Sequence, residues 1–151
     1  MSSYGNYLKN LFNEPAVERV QSRRIRRLLV LAQLAWIVAA VPAVTMTEHP
    51  WPLLLWLPVF VLLTGRLNMS VRGITEIPTS HLDEMQIARR NHFAHRAHQV
   101  GNLVVLGLIA AAFIDDVRLM LAVWFAAWMT YFGLPTLLAA WSWPDESPED
   151  E

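Results

Sequence analysis

The chain has 151 residues, 54% of them hydrophobic and 17% charged, with seven tryptophans and no cysteine. That much apolar side chain in so short a chain exceeds what an ordinary soluble domain buries, and the length limits it to one compact unit. Lacking cysteine, it has no disulfide framework, thiolate metal site or cysteine nucleophile, and its formal net charge of -1 hides two basic blocks, Lys9 to Arg27 and Arg66 to Arg96.

At the N-terminus, Tyr4, Tyr7, Leu8, Leu11 and Phe12 share one face at helical spacing. This suits either a short amphipathic helix lying in a membrane interface or a frayed terminus. "NEPAVERVQSRRIRRLL" then reads as a helix start. Asn13 can cap, Pro15 suits the first turn, and Glu14 and Glu18 lie near the positive end of the macrodipole. Arg23, Arg24, Arg26 and Arg27 gather directly before an uncharged apolar run, residues 28–46. A spanning helix needs roughly 20 such residues, and each arginine beside it is worth about 1 kcal/mol against anionic lipid. The run ends in "VPA" and so loosely resembles a signal peptide. It is long for that, and its basic segment starts far from Met1, so a retained first helix is the reading adopted.

The second span is predicted over residues 51–68, with Arg66 snorkelling to the headgroups. Gly73 and Pro78 mark turns in the linker that follows. In "PTSHLDEMQIARR", Ser80 and Asp83 have the spacing of a capping box. Only Gly101 and Gly107 interrupt the helical pattern from His81 to Ile114, which predicts one long helix entering the third span, residues 99–114. The fourth span covers residues 117–143 and stops at Pro144. The tail "PDESPEDE" is expected to be disordered.

The expected fold is therefore an all-α membrane protein of four transmembrane helices arranged as two antiparallel hairpins, with a long cytoplasmic juxtamembrane helix before the third span. The turns "TEHP" and "DD" are too short for any other connection. The positive-inside rule places both termini and residues 69–98 in the cytoplasm, for a multi-pass protein of the cell membrane. Trp51 on the outer side, and Trp141 and Trp143 on the inner side, suit interfacial belts. The order of basic helix, span, turn and span occurs twice, as in parallel repeats. Glu18, Gln21 and Arg23-Arg24 set against Asp83, Gln86 and Arg89-Arg90 are one residue out of step.

His92, His95 and His98 recur at every third residue and share a side with His81 and Glu84. Leu82, Phe93, Ala97 and Val100 lie roughly opposite. A metal held by His92, His95, His98 and Glu84 would need i, i+4 spacing or carboxylates from other helices. The spans offer only Gln33, Asn102 and some Thr, Ser and Tyr, and no ligand for an intramembrane haem. The stripe is expected to be a headgroup-level collar beside Arg89, Arg90 and Arg96, with no cofactor and no resident metal. A pH-dependent lipid or partner contact stays open, because histidine charge can change near neutrality.

Asp115 and Asp116 read as a solvated outer turn. Gln33 and Asn102 suit interhelical hydrogen bonds, with a pore lining as the alternative. Ala35-x-x-x-Ala39 and Gly107-x-x-x-Ala111 permit close helix contact, and Pro42, Pro58 and Pro135 can kink three spans. No phosphate loop, triad or pair of buried carboxylates is legible, so no catalytic residue is assigned.

The block from Leu67 to Gly101 resembles small bacterial multi-pass membrane proteins, frequent in actinobacteria, that carry an LDE(R)Q-like motif before a spanning helix. The matching residues are Leu82, Asp83, Glu84, Gln86, Arg89, Arg90, Arg96 and Ala97; Met85 stands where an arginine is more usual. The likeness covers about a quarter of the chain. It implies a cytoplasmic motif helix on a membrane bundle and brings no activity with it.

The function expected from these features is a non-enzymatic integral membrane protein. It would act through Arg23, Arg24, Arg26, Arg27, Arg89, Arg90 and Arg96 on anionic lipids, and associate with itself or with a membrane or cytoplasmic protein, and not with nucleic acid. The alternative is a pore-forming or membrane-disrupting effector, holin-like or anti-phage, motivated by short spans and prolines. A lesser alternative is a metal carrier using the histidines.

Overall fold

The computed structural model describes residues 22–47, 52–71 and 77–143. The amphipathic piece around Tyr4 to Phe12, the Asn13 cap, Trp51 and the acidic tail lie outside the described residues. Within them the fold is all-helical. Helix α1 spans Arg23–Thr45, α2 spans Pro52–Ser70, a 3-10 turn covers Thr79–His81, α3 spans Glu84–Ala111 and α4 spans Val117–Ser142. Two of these, α1 and α4, are long and apolar enough to cross a membrane, while α2 contains a shorter apolar stretch, Leu54–Ser70. The predicted long helix is present as α3, which runs unbroken through Gly101 and Gly107.

The caps explain where the helices begin. Ser22 caps α1 through the Ile25 amide, so Arg23 to Arg27 already belong to the helix. The capping box sits three residues later than predicted. Asp83 Oδ1 accepts from the Gln86 amide at 2.6 Å, and Gln86 Oε1 accepts from the Asp83 amide at 3.2 Å. Ser80 instead falls in the 3-10 turn, because Asp is as good a cap as Ser and Gln86 is long enough to reach back. Asp116, expected only to be solvated, caps α4 by accepting from the amides of Arg118 and Leu119.

Helix α4 is the hub, packing against α1, α3 and α2, and α1 also packs against α2. On α1 the buried face runs through Arg26, Val30, Gln33, Ile37, Ala40 and Val44, at steps of three and four residues. Residue pairs give the chain directions. Gln33 meets Thr64 and Trp36 meets Trp56, so α1 and α2 run antiparallel. Arg26 meets Trp143 and Gln33 lies beside Gly133, so α1 and α4 are antiparallel too.

Besides a small cluster in which Met69 and Leu82 pack on Ile77, the interior has, among the described residues, two larger apolar clusters. One gathers Val30, Leu67, Val71, Phe93, Leu137, Ala139, Ala140 and Trp143; the other joins Ile37, Phe60 and Met129. Polar side chains occur between them. Gln33 Nε2 donates to Thr64 Oγ1 at 3.1 Å, and Thr136 Oγ1 donates to Asn68 Oδ1 at 3.3 Å. Gln33 therefore makes an interhelical bond, as its sequence position suggests. Beside this layer, Trp36 and Trp56 stack with ring centroids 4.5 Å apart. Each indole N–H donates to the other's backbone carbonyl, at 3.2 and 2.8 Å. The indoles thus satisfy their polar atoms inside an apolar contact.

The close-contact residues differ in part from those expected: Ala111 is buried, as its spacing suggests, but its partners in the pattern are not. Ala35, Ala39 and Gly107 are exposed. The glycines that admit a neighbour are Gly133 and Gly101. A Cβ at Gly133 would stand 3.1 Å from Gln33 Nε2, and one at Gly101 would stand 3.0 Å from the Tyr131 ring. Large apolar side chains of all four helices point outward, among them Leu28, Val38, Leu54, Leu62, Leu103 and Phe132.

Gly133→Ala is expected to destabilise the bundle by about 1–3 kcal/mol through overpacking against Gln33. Thermal unfolding in detergent measures this. Much of the cost should vanish in a Gln33→Ala background, as the residues compete for one space.

Candidate functional site

The charged chemistry gathers where α1 begins and α4 ends. The last turn of α4 contains no basic residue, yet its terminal carbonyls carry partial negative charge and lack helical partners. Neighbouring helices supply the cations. Arg26 of α1 is only 2% exposed, and its Nη2 donates to the Trp143 carbonyl at 2.7 Å. The Arg27 guanidinium lies 5.0 Å from the Trp141 ring centroid, and that of Arg89, from α3, lies 5.4 Å from the Trp143 ring. Arg90 Nη1 donates to the Ile77 carbonyl at 2.9 Å, holding the turn before α3 against the helix.

Burying a guanidinium is costly unless hydrogen bonds and opposing charge offset it. The C-terminal end of α4 provides both. Arginine suits the position better than lysine because its planar fork is less strongly hydrated and matches carbonyl geometry.

The arginines expected to form one lipid-facing set thus divide by environment. Arg26 is buried; Arg27, Arg89 and Arg90 are half-buried; Arg23, Arg24 and Arg96 are exposed, as is Arg66 at the end of α2. The signal for Arg26 was present in the sequence. Extending the buried row of α1 backward from Val30 by four residues lands on it. Charge composition alone hides that, since Arg23, Arg24, Arg26 and Arg27 look alike.

Trp143 is a second departure. It was expected in the interfacial belt beside Trp141, but only Trp141 is exposed. Trp143 caps α4 and packs its ring against Phe93, with centroids 6.1 Å apart. The contact with α3 removes it from the surface.

The motif residues set the phase of α3. Leu82 packs against Ile77 and the larger apolar cluster, Asp83 and Gln86 form the capping box, and exposed Glu84 lies in the first turn. Starting the helix at Glu84 brings Arg89 and Arg90 round to Trp143 and Ile77. His92, His95 and His98 are exposed. A 3.1 Å hydrogen bond links His95 Nε2 to Gln99 Nε2, and the His92 ring meets Phe93 edge-on. Among the described residues, no group of three or more His, Asp or Glu is placed to hold a metal ion. Asn102, expected to bond between helices like Gln33, is exposed on α3.

The site therefore offers fixed positive charge and guanidinium donors braced by tryptophan, a chemistry suited to phosphate and carboxylate groups. No family model, curated protein or solved structure matches the chain.

Arg26→Ala should lower thermal stability in detergent by about 2–4 kcal/mol, from the lost charged hydrogen bond and the cavity left behind. Arg24→Ala, on the exposed side, should change it by less than about 0.5 kcal/mol. Equal effects would contradict the division.

Proposed function

We propose that this chain is a non-enzymatic integral membrane protein whose arginine-bearing end engages anionic lipid headgroups. Its four helices form two hairpins in the bilayer, and the first turns of α3 stand in the headgroup layer with the chain termini on the cytoplasmic side. One observation carries the reading: every described arginine except Arg118 lies at the end of the bundle where Arg26 meets Trp143, while apolar side chains face outward between the ends.

That asymmetry has a physical direction. Arginines near a spanning helix stay on the cytoplasmic side, where anionic headgroups attract them. In this reading, Arg26, Arg27, Arg89 and Arg90 brace the collar, and Arg24, Arg66 and Arg96 present charge to phosphate. Trp141, exposed beside Arg27, sits at the depth interfacial tryptophans favour. The outward apolar residues of α1, only 28% of whose most apolar window is buried, support embedding in lipid over a soluble core. The bonded pairs Gln33–Thr64 and Asn68–Thr136 favour a packed seam over a water passage.

Spin-labelled lipid association in reconstituted phosphatidylcholine bilayers tests this. Phosphatidylglycerol probes should associate several-fold more strongly than phosphatidylcholine probes. Changing Arg24, Arg66 and Arg96 together to Gln, or adding 0.5 M salt (about a 4 Å screening length), should remove most of that preference. Identical association of both probes with the unaltered protein would end the proposal.

A further inference from the structure

Helix α3 has a second face. It packs on α4 through Phe93, Ala97, Gly101 and Ala111. On the opposite side His92, His95, Gln99, Asn102, Leu106 and Ile109 follow one another at alternating steps of three and four residues, all exposed. Leu106 is 61% and Ile109 56% accessible, and Met85 with Ala88 extends the row backward. Alternation of three and four is the spacing of a helix-pairing seam.

The polarity of the row is unusual for its depth. Gly101 lies against Tyr131 and Leu134, well inside α4, whereas Phe93 lies at Trp143 near its end. From Phe93 to Asn102 the helix advances roughly 13 Å at about 1.5 Å per residue. If the bundle spans the bilayer as read above, on which this inference rests, Gln99 and Asn102 project from the outer face of α3 into hydrocarbon. Lipid tails offer an amide no hydrogen bond.

We propose that this face docks a second copy of the chain, α3 against α3. Copies inserted with one topology are related by a two-fold axis along the membrane normal, so the paired helices run parallel and each residue meets itself. The row is self-complementary under that operation. An Asn or Gln amide carries both donor and acceptor, so Asn102 pairs with its own counterpart; Gln99, whose Nε2 meets His95 one turn back, keeps its carbonyl oxygen and second N–H for its counterpart. Leu106 and Ile109 interlock beyond them. The row contains no Lys, Arg, Asp or Glu, so it calls for no partner of opposite charge. Polar residues in such a seam also fix register.

The natural absence of cysteine makes the test direct. Single substitutions Gln99→Cys, Asn102→Cys, Leu106→Cys and Ile109→Cys are introduced into the full chain, with Leu31→Cys and Leu62→Cys as outward-facing controls on α1 and α2. Oxidation in native membranes should give disulfide dimers at the four α3 positions and none at the controls. By energy transfer in vesicles, Gln99→Leu with Asn102→Leu should weaken the dimer about tenfold, at roughly threefold per interhelical bond. Equal cross-linking at the controls, or a monomer that stays membrane-bound, overturns the dimer alone. A chain released by alkaline extraction overturns the membrane reading and the dimer with it.

Discussion

The contact between Arg26 and the Trp143 carbonyl orders much of the fold. It brings a buried cation from the start of α1 to the C-terminal carbonyls of α4, whose last turn has no cation of its own. From that end, α1 and α4 lie side by side. The Gln33–Gly133 approach and the cluster shared by Ile37, Phe60 and Met129 lie further along them. Arg89 reaches the same tryptophan from α3, so a single residue at the end of α4 gathers two other helices.

Directional bonds matter for a reason that follows from the proposed membrane setting. In a bilayer the hydrophobic effect gives no preference for helix against helix over helix against lipid, because both environments are apolar. Specific pairing then depends on close packing and on polar groups that must find partners. The α1–α2 contact illustrates both: Trp36 and Trp56 stack and exchange indole hydrogen bonds, and Gln33 reaches Thr64 nearby. Gly133 makes room for Gln33 from the α4 side.

Helix α3 shows how one segment can serve different ends with different faces. Its capping box fixes the starting residue, and the start fixes the phase of every position after it. Phe93, Ala97 and Gly101 consequently face α4, and Arg89 and Arg90 come round to Trp143 and Ile77. The histidines, Gln99 and Asn102 are left outward. The LDEMQ stretch thus has a local mechanical role, whatever else it contacts.

Local rules determined a good deal of this protein. Apolar run lengths located α1 and α4, the lack of breakers foretold an unbroken α3, and the basic blocks marked the end where arginines collect. These follow from sequence because helix formation and the length of an apolar run depend on local composition. What the tertiary structure decided was the fate of residues alike in type. Arg26 went inside while Arg24 stayed outside; Trp143 was buried while Trp141 was not; Gln33 found a partner while Asn102 faced outward. Ser80 lost the capping position to Asp83, and Gly133 and Gly101 took the close contacts assigned to Ala35 and Gly107. Apart from the local exchange of Ser80 for Asp83, each of those outcomes turns on which neighbouring helix lies within a few ångströms, and that is a property of how helices meet, which no window along a single chain contains.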